Sequence, residues 1–291
     1  MLQVADQTVP ALRPIWVLGA SDPEMATIEQ LLTTAGAEVR YAVDETGTRV
    51  MPSRAYKAVD VSGDLLDPSR PIHYVECDVL GGAAPAFRAD HHRPGDPGFD
   101  APPAGYWQGS SVGQVAGYLG VAPTPALRLV AAADHCLAAA YRGECPGVDP
   151  DALMVWRAET RAQFPGRSVD EVMANVQKAR DLLATAPRLT FGGERVADMR
   201  ALERAEHIPE LPEAATRDGI AFLGETRDRD GRVKTVLMAA SRPAVEAFLA
   251  EARRFGNGET YGVPARGFAG VYAEPAPRRE ARQEPALEVT R

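Results

Sequence analysis

Apolar residues change period along the chain, and the changes mark out its elements. Residues 14–19, PIWVLG, form an unbroken apolar run closed by glycine, the pattern of a buried strand. The loop ASDPEM leads into MATIEQLLTTAG. There Met25, Ile28, Leu31 and Leu32 recur at helical spacing, and Gly36 marks the stop. EVRYAV (38–43) reads as a second strand and HYVECDV (73–79) as another, with Asp78 near its C-terminal end. A strand–loop–helix–strand opening predicts an α/β domain. AAPAFRADHHRPGDPG then carries a short strand or turn into a Gly- and Pro-rich loop. SSVGQVAGYLG (110–120) predicts a helix, and PALRLVAAADHCLAAAYRG (125–143) a single Ala-rich helix whose apolar character calls for burial.

The texture shifts after two further helical stretches, PDALMVWRAETRAQF and SVDEVMANVQKARDLLATA. LTFGG, IAFLGETRD, DGRVKTVLMAAS and FAGVYAE read as strands, with RPAVEAFLAEARRFG as a helix among them. GETRDRDGRVKT predicts a β-hairpin turning at Asp230-Gly231. The expected organisation is an N-terminal α/β domain (1–165) on a mostly parallel sheet, a connecting helix (166–187) and a smaller α+β C-terminal domain (188–275). The Pro- and charge-rich tail (276–291) reads as disordered.

Composition narrows the function classes. Hydrophobic residues make up 45% and charged residues 25% of the 291, ordinary for a soluble globular protein. No apolar run approaches the roughly 18–20 residues of a membrane span, and the N-terminus lacks the layout of a secretory signal. Three cysteines, Cys77, Cys136 and Cys145, argue against a disulfide framework and fit a reducing cytosol. The expected location is therefore cytoplasmic, without membrane contact. A net charge of −8 argues against a broad nucleic-acid footprint, but not against a small phosphorylated substrate. It is equally compatible with a monomer or an oligomer.

Candidate chemistry gathers in the first half. His73, His91, His92 and His135 lie there, together with Asp22, Asp78, Asp90 and Asp134. Asp22 and Asp78 follow strands, and open α/β sheets bind ligands beyond the carboxyl ends of their strands. Carboxylates mixed with imidazoles suit Mn, Fe or Zn better than Ca. Asp22 also fits a plain helix cap, and His135 fits packing behind a site better than direct ligation. Cys136 and Cys145 have no CxxC spacing, which argues against structural zinc.

ADHHRPG resembles the signature of the DHH phosphoesterases, and GASDPEM, VECDV and AAADHCL stand around it in the family's order. The resemblance implies a DHH-type domain with a divergent form of the family's C-terminal domain. It also implies a site for one or two divalent ions, usually Mn2+. By that resemblance Asp22 ligates the first metal, Asp78 bridges both, and His91 and Asp134 hold the second. His92 faces the substrate phosphate and Asp90 orients a histidine. Arg266 and Gly267, in GETYGVPARGFAGVY, would meet the substrate from the C-terminal domain. The implied reaction is metal-assisted hydrolysis of a phosphodiester or phosphomonoester in a small nucleotide or short oligonucleotide.

Two departures stand out. The family's first motif places a histidine four residues before its first aspartate, where this chain has Leu18. Its second aspartate is replaced by Glu24, one methylene longer. The first-metal site is thereby weakened, with Glu24 and His135 as compensating candidates. The alternative function is a non-catalytic nucleotide-binding or sensor protein on the same fold.

Overall fold

The computed structural model describes residues 13–64, 67–163, 166–205, 207–228, 231–264 and 267–273. The chain is α/β with two mixed sheets, and it divides into two compact units, Met1–Val169 and Asp170–Arg291.

In the first unit β1 (Ile15–Leu18) lies between β2 (Glu38–Val43) and β4 (Ile72–Val75), parallel to both. β5 (Phe87–Ala89) extends the sheet in parallel beside β4, and β3 (Asp60–Val61) caps the other edge antiparallel to β2. All four residues of β1 are buried, because both faces of the sheet are covered. Ile15 and Val17 join Ile72, Tyr74 and Ala42 in a core completed by Val50 and Ala55. On the opposite face the Trp16 ring meets His73, Phe87 and Tyr118 edge-on or nearly so.

Helix boundaries follow their capping chemistry. α1 (Pro23–Thr34) starts where Asp22 Oδ1 accepts the Met25 N–H at 2.7 Å, with proline at its first position. α2 (Tyr106–Gly109) runs into α3 (Ser111–Leu119), which is capped by Ser110 and ends at left-handed Gly120. α4 (Pro125–His135) is capped by Thr124. α5 (Leu137–Tyr141) follows, and α6 (Pro150–Ala162) is capped by Asp149.

The single helix expected over 125–143 is broken at Cys136 (φ −151°, ψ 45°). An alanine-rich stretch carries no local breaker, and the break comes instead from long-range bonds. His135 reaches the Ala101 carbonyl and the His91 ring, which fixes the end of α4. The strand expected over 73–79 stops at Val75, because Glu76 takes a left-handed backbone (φ 49°).

The second unit opens with α7 (Val169–Thr185), which buries Val172, Val176, Ala179 and Leu183 along one stripe. Its sheet contains β6 (Arg188–Phe191), β7 (Glu194–Asp198), β8 (Phe222–Arg227), β9 (Val233–Met238), β10 (Thr260–Val263) and β11 (Phe268–Tyr272). The order is β10-β11-β9-β8-β7-β6, with β7 and β8 parallel and the other pairings antiparallel. α10 (Arg242–Ala250) lays Ala244, Val245 and Phe248 into a core with Phe191, Leu223, Leu237 and Val271. α8 (Arg200–Ala205) and α9 (Leu211–Asp218) lie between β7 and β8. Arg180 of α7 is paired with Asp218 at 2.8 Å.

β7, β10, α8 and α9 are absent from the sequence reading, since their segments are too short to give a sustained period and those of β7, α8 and α9 are rich in charge. The hairpin register of β8 on β9 matches GETRDRDGRVKT, although Asp230 of its expected turn lies outside the described residues, as does the tail 276–291.

Candidate metal centre

The carboxyl ends of β1, β4 and β5 in the first unit bring together residues far apart in sequence. Just past β4, the left-handed backbone of Glu76 places a buried carboxylate at the strand end. Asp90, His91 and His92 follow β5 directly. Glu24 sits buried in the first turn of α1, and Asp134 and His135 occupy the last turn of α4.

Among the described residues, one ligand atom each from Glu24, Glu76, His91 and Asp134 falls within 4.8 Å of the others. Glu76, His91 and His92 form a second, overlapping group. His91 Nε2 lies 3.0 Å from Asp134 Oδ2 and 3.6 Å from Glu76 Oε1. Glu24 and Glu76 are buried, whereas Asp134 stands on the solvent side. A hollow of about 30 Å³ beside Glu24 and Asp134, walled by Val130 and Trp156, has room on the scale of one water molecule.

A relay of bonds sets the His91 ring. The Ala101 carbonyl can only accept, so His135 Nε2, 3.0 Å away, carries the proton. His135 Nδ1 then accepts from His91 Nδ1 at 2.8 Å. His91 Nε2 is thereby turned toward the oxygens of Asp134 and Glu76. Burial pushes the His135 pKa down, in keeping with its neutral role.

Asp90 anchors the adjoining histidine. Fully buried, it accepts at Oδ1 from the backbone N–H groups of His91 (2.8 Å) and His92 (3.1 Å), and from the Tyr56 hydroxyl (2.9 Å). His92 Nδ1 lies 3.2 Å from the same oxygen. Burial opposes charge on His92, but Asp90 and Glu76 outweigh it and hold its pKa above the usual value. For Asp90 itself burial is again the largest influence, and the bonds from His92 and Tyr56 overcome it and bring the pKa down.

Burial and mutual repulsion raise the pKa values of two of the carboxylates. Burial, followed by repulsion from Asp134 and Glu76, pushes the Glu24 pKa well up. Burial and Asp134 raise Glu76 to about 7. Among the described residues, Glu24 Oε2 and Glu76 Oε1 are buried with no hydrogen-bond donor. Orphaned acceptors facing an imidazole nitrogen suit a divalent cation with mixed oxygen and nitrogen ligands, so the residues fit a metal ion.

Asp22 caps α1 and lies within electrostatic reach of Asp134 and His92, but it belongs to neither ligand group. Asp78, expected as the bridging ligand, is held by Arg88 and Arg93 outside both groups. The reason is local. β4 ends at Val75, so the first side chain past the strand is Glu76, and two residues later the Asp78 N–H is already bonded to the Ala55 carbonyl. Of the residues expected as ligands, Glu24, His91 and Asp134 are brought together, with His92 and Asp90 adjoining them. Arg266 lies outside the described residues. Gly267 occupies a left-handed turn between β10 and β11 (φ 73°), where a Cβ would meet the Ala240 carbonyl oxygen at 2.6 Å.

The sequence reading missed Glu76 and Tyr56. Counting from the strand end rather than from the aspartate identifies the first. For Tyr56, in a 3₁₀ segment remote from the motif, no sequence signal exists. Comparisons with family models, with curated proteins and with solved structures find no match.

Gly19, just past β1, packs so closely on the Glu76 backbone that a Cβ would lie 2.4 Å from its carbonyl oxygen. Gly19→Ala is expected to destabilise the protein by about 1–3 kcal/mol and to weaken metal binding by displacing Glu76. Denaturant titration and calorimetry with Mn2+ measure the two effects.

Proposed function

We propose that the chain is a divalent-metal-dependent phosphohydrolase that cleaves a phosphoester in a small nucleotide or short oligonucleotide. The supporting observation is the meeting of Glu24, Glu76, His91 and Asp134 at the strand ends, with the Asp90–His92 pair beside them. The DHH resemblance adds the reaction class. Mn2+ is the ion we assign, held by Glu24, Glu76, His91 and Asp134. Such an ion, when bound, supplies Lewis-acid charge and lowers the pKa of a coordinated water.

The chain's own groups do the rest. His135 and the Ala101 carbonyl keep the His91 ring oriented. Asp90 holds the proton on His92 Nδ1 and favours the imidazolium, whose charge offsets that on phosphoryl oxygens. The Tyr56 hydroxyl keeps Asp90 in place, and Arg93, stacked 3.8 Å over the Tyr56 ring, keeps Tyr56 in place.

Chelator-stripped protein is expected to be inert toward bis-p-nitrophenyl phosphate and to turn it over when Mn2+ is restored. His92→Ala is expected to lower kcat by about 100-fold or more while still binding Mn2+. Equal rates with and without Mn2+ would refute the proposal. A panel of mononucleotides and short oligonucleotides then identifies the substrate.

A second reading, a non-catalytic nucleotide sensor, is favoured by buried Leu18 at the family's histidine position and by the commitment of Asp78 to two arginines. Nucleotide binding without turnover at any Mn2+ concentration would select it.

A further inference from the structure

Cys136 and Cys145 are both free thiols, and their sulfurs lie 2.9 Å apart. That separation falls between an ordinary non-bonded contact, about 3.5–4 Å, and a disulfide bond of about 2.05 Å. The approach is built into the chain. Cys136 interrupts the helical run, α5 makes little more than one turn, and left-handed Gly143 reverses the direction. Bonds from Gly143 N–H to the Ala140 carbonyl and from Glu144 N–H to the Ala139 carbonyl, both 3.0 Å, bring Cys145 back onto Cys136. The Tyr106 hydroxyl bonds to the Pro146 carbonyl at 3.2 Å and pins the returning segment. Among the described residues no third His, Cys, Asp or Glu joins the two sulfurs in a metal-sized group, so thiol chemistry, not zinc, is what the pair offers.

We propose that Cys136 and Cys145 are an oxidative modification site, a thiol pair that a hydroperoxide converts reversibly into an intramolecular disulfide, steadying the end of α4 that carries Asp134 and His135. Cys136 is partly exposed and Cys145 buried, which makes Cys136 the sulfur that meets the oxidant. Its attack on the O–O bond gives a sulfenic acid and releases water or an alcohol. Cys145 sulfur then displaces the sulfenic hydroxyl, which leaves as water with the second thiol proton. Two electrons pass from the sulfurs to the peroxide, and a dithiol returns them.

The inference is independent of the phosphohydrolase reading, because its readouts are chemical. The full-length protein is treated with hydrogen peroxide without denaturant and analysed by intact mass and peptide mapping. The expected result is loss of two hydrogens, a peptide pair joined at residues 136 and 145, a free Cys77, and reversal by dithiothreitol. Cys145→Ser is expected to trap the sulfenic acid at Cys136, detectable with dimedone, while Cys77→Ser bridges as the parent does. Closing so short a loop raises Tm by about 5 °C, and amide exchange at residues 134–137 slows. Three titratable thiols surviving peroxide, bridges formed between chains, or a Tm unchanged or lowered by the bridge would each overturn the proposal.

Discussion

Replacing Glu76 with glutamine is expected to weaken Mn2+ binding by about 100-fold or more and at the same time to stabilise the metal-free protein at pH 8. The two effects have one cause. Glu76 is buried against Asp134, and its carboxyl is raised to about 7 from an ordinary 4.5. Above that pH the folded chain holds a buried negative charge that the neighbouring imidazoles only partly offset. Glutamine keeps the shape and removes the charge, which relieves a strain on the order of 2–3 kcal/mol. It also removes a ligand common to both candidate groups. Asp78→Asn is the informative partner. It disturbs the pairing with Arg88 and Arg93 and leaves Mn2+ affinity within a few-fold of the parent. Calorimetric titration of the two variants separates a bridging role for residue 76 from one for residue 78. Wild-type affinity in Glu76→Gln would remove the centre as described.

The stability of the metal-free protein is expected to fall as pH rises from about 5 to 8, the reverse of what paired carboxylates give. Glu76 has a folded pKa above its unfolded value, so between about 4.5 and 7 the native state binds more protons than the unfolded one. Its contribution is complete below about 4.5 and is lost as pH climbs through about 7. Glu24, raised by burial, acts in the same direction. His73 opposes them. Burial lowers its pKa, and the unfolded chain therefore binds the extra proton as pH drops through 6.5, so stability is lost there. His135, whose pKa burial also lowers, acts as His73 does, and above pH 6.5 both imidazoles are largely neutral in either state, which leaves the carboxylates dominant there. Metal reverses the trend, because binding needs the ionised ligands and releases protons. Thermal melts with chelator and with saturating Mn2+ are therefore expected to converge near pH 5 and to diverge by several degrees at pH 8. A metal-induced shift that shrinks with rising pH would contradict this assignment of charge.

Much of the first unit was legible because its signals are local and strong. The run at 14–19 is apolar and closed by glycine, the one at 38–43 is short and rich in Val and Tyr, and their strands fall at Ile15–Leu18 and Glu38–Val43. Asp22 announces its helix by its own capping bond. The site was legible only in part. Asp-His-His stands out in any sequence, and Glu24 and Asp134 were reached only through the order of motifs that the resemblance implies. What failed was register at the level of one or two residues. VECDV holds two acids, and only the backbone twist at Glu76 decides which one faces the imidazoles. The arginines that occupy Asp78 come from β5 and the loop beyond it, partners that no local pattern reveals. β7 and β10 escaped for a similar reason, since each is stabilised by its neighbours in the sheet more than by its own composition.

Glu76 also carries a lesson about selection. A left-handed backbone suits glycine, and a side chain with a Cβ sits there under strain of roughly 1 kcal/mol. The same residue holds a desolvated acid. On backbone comfort and on solvation alike, glycine at position 76 would give a sturdier fold, and it would be silent toward metal. The chain is thus expected to sit on the activity side of a trade-off in which two independent gains in ruggedness have been forgone at a single position.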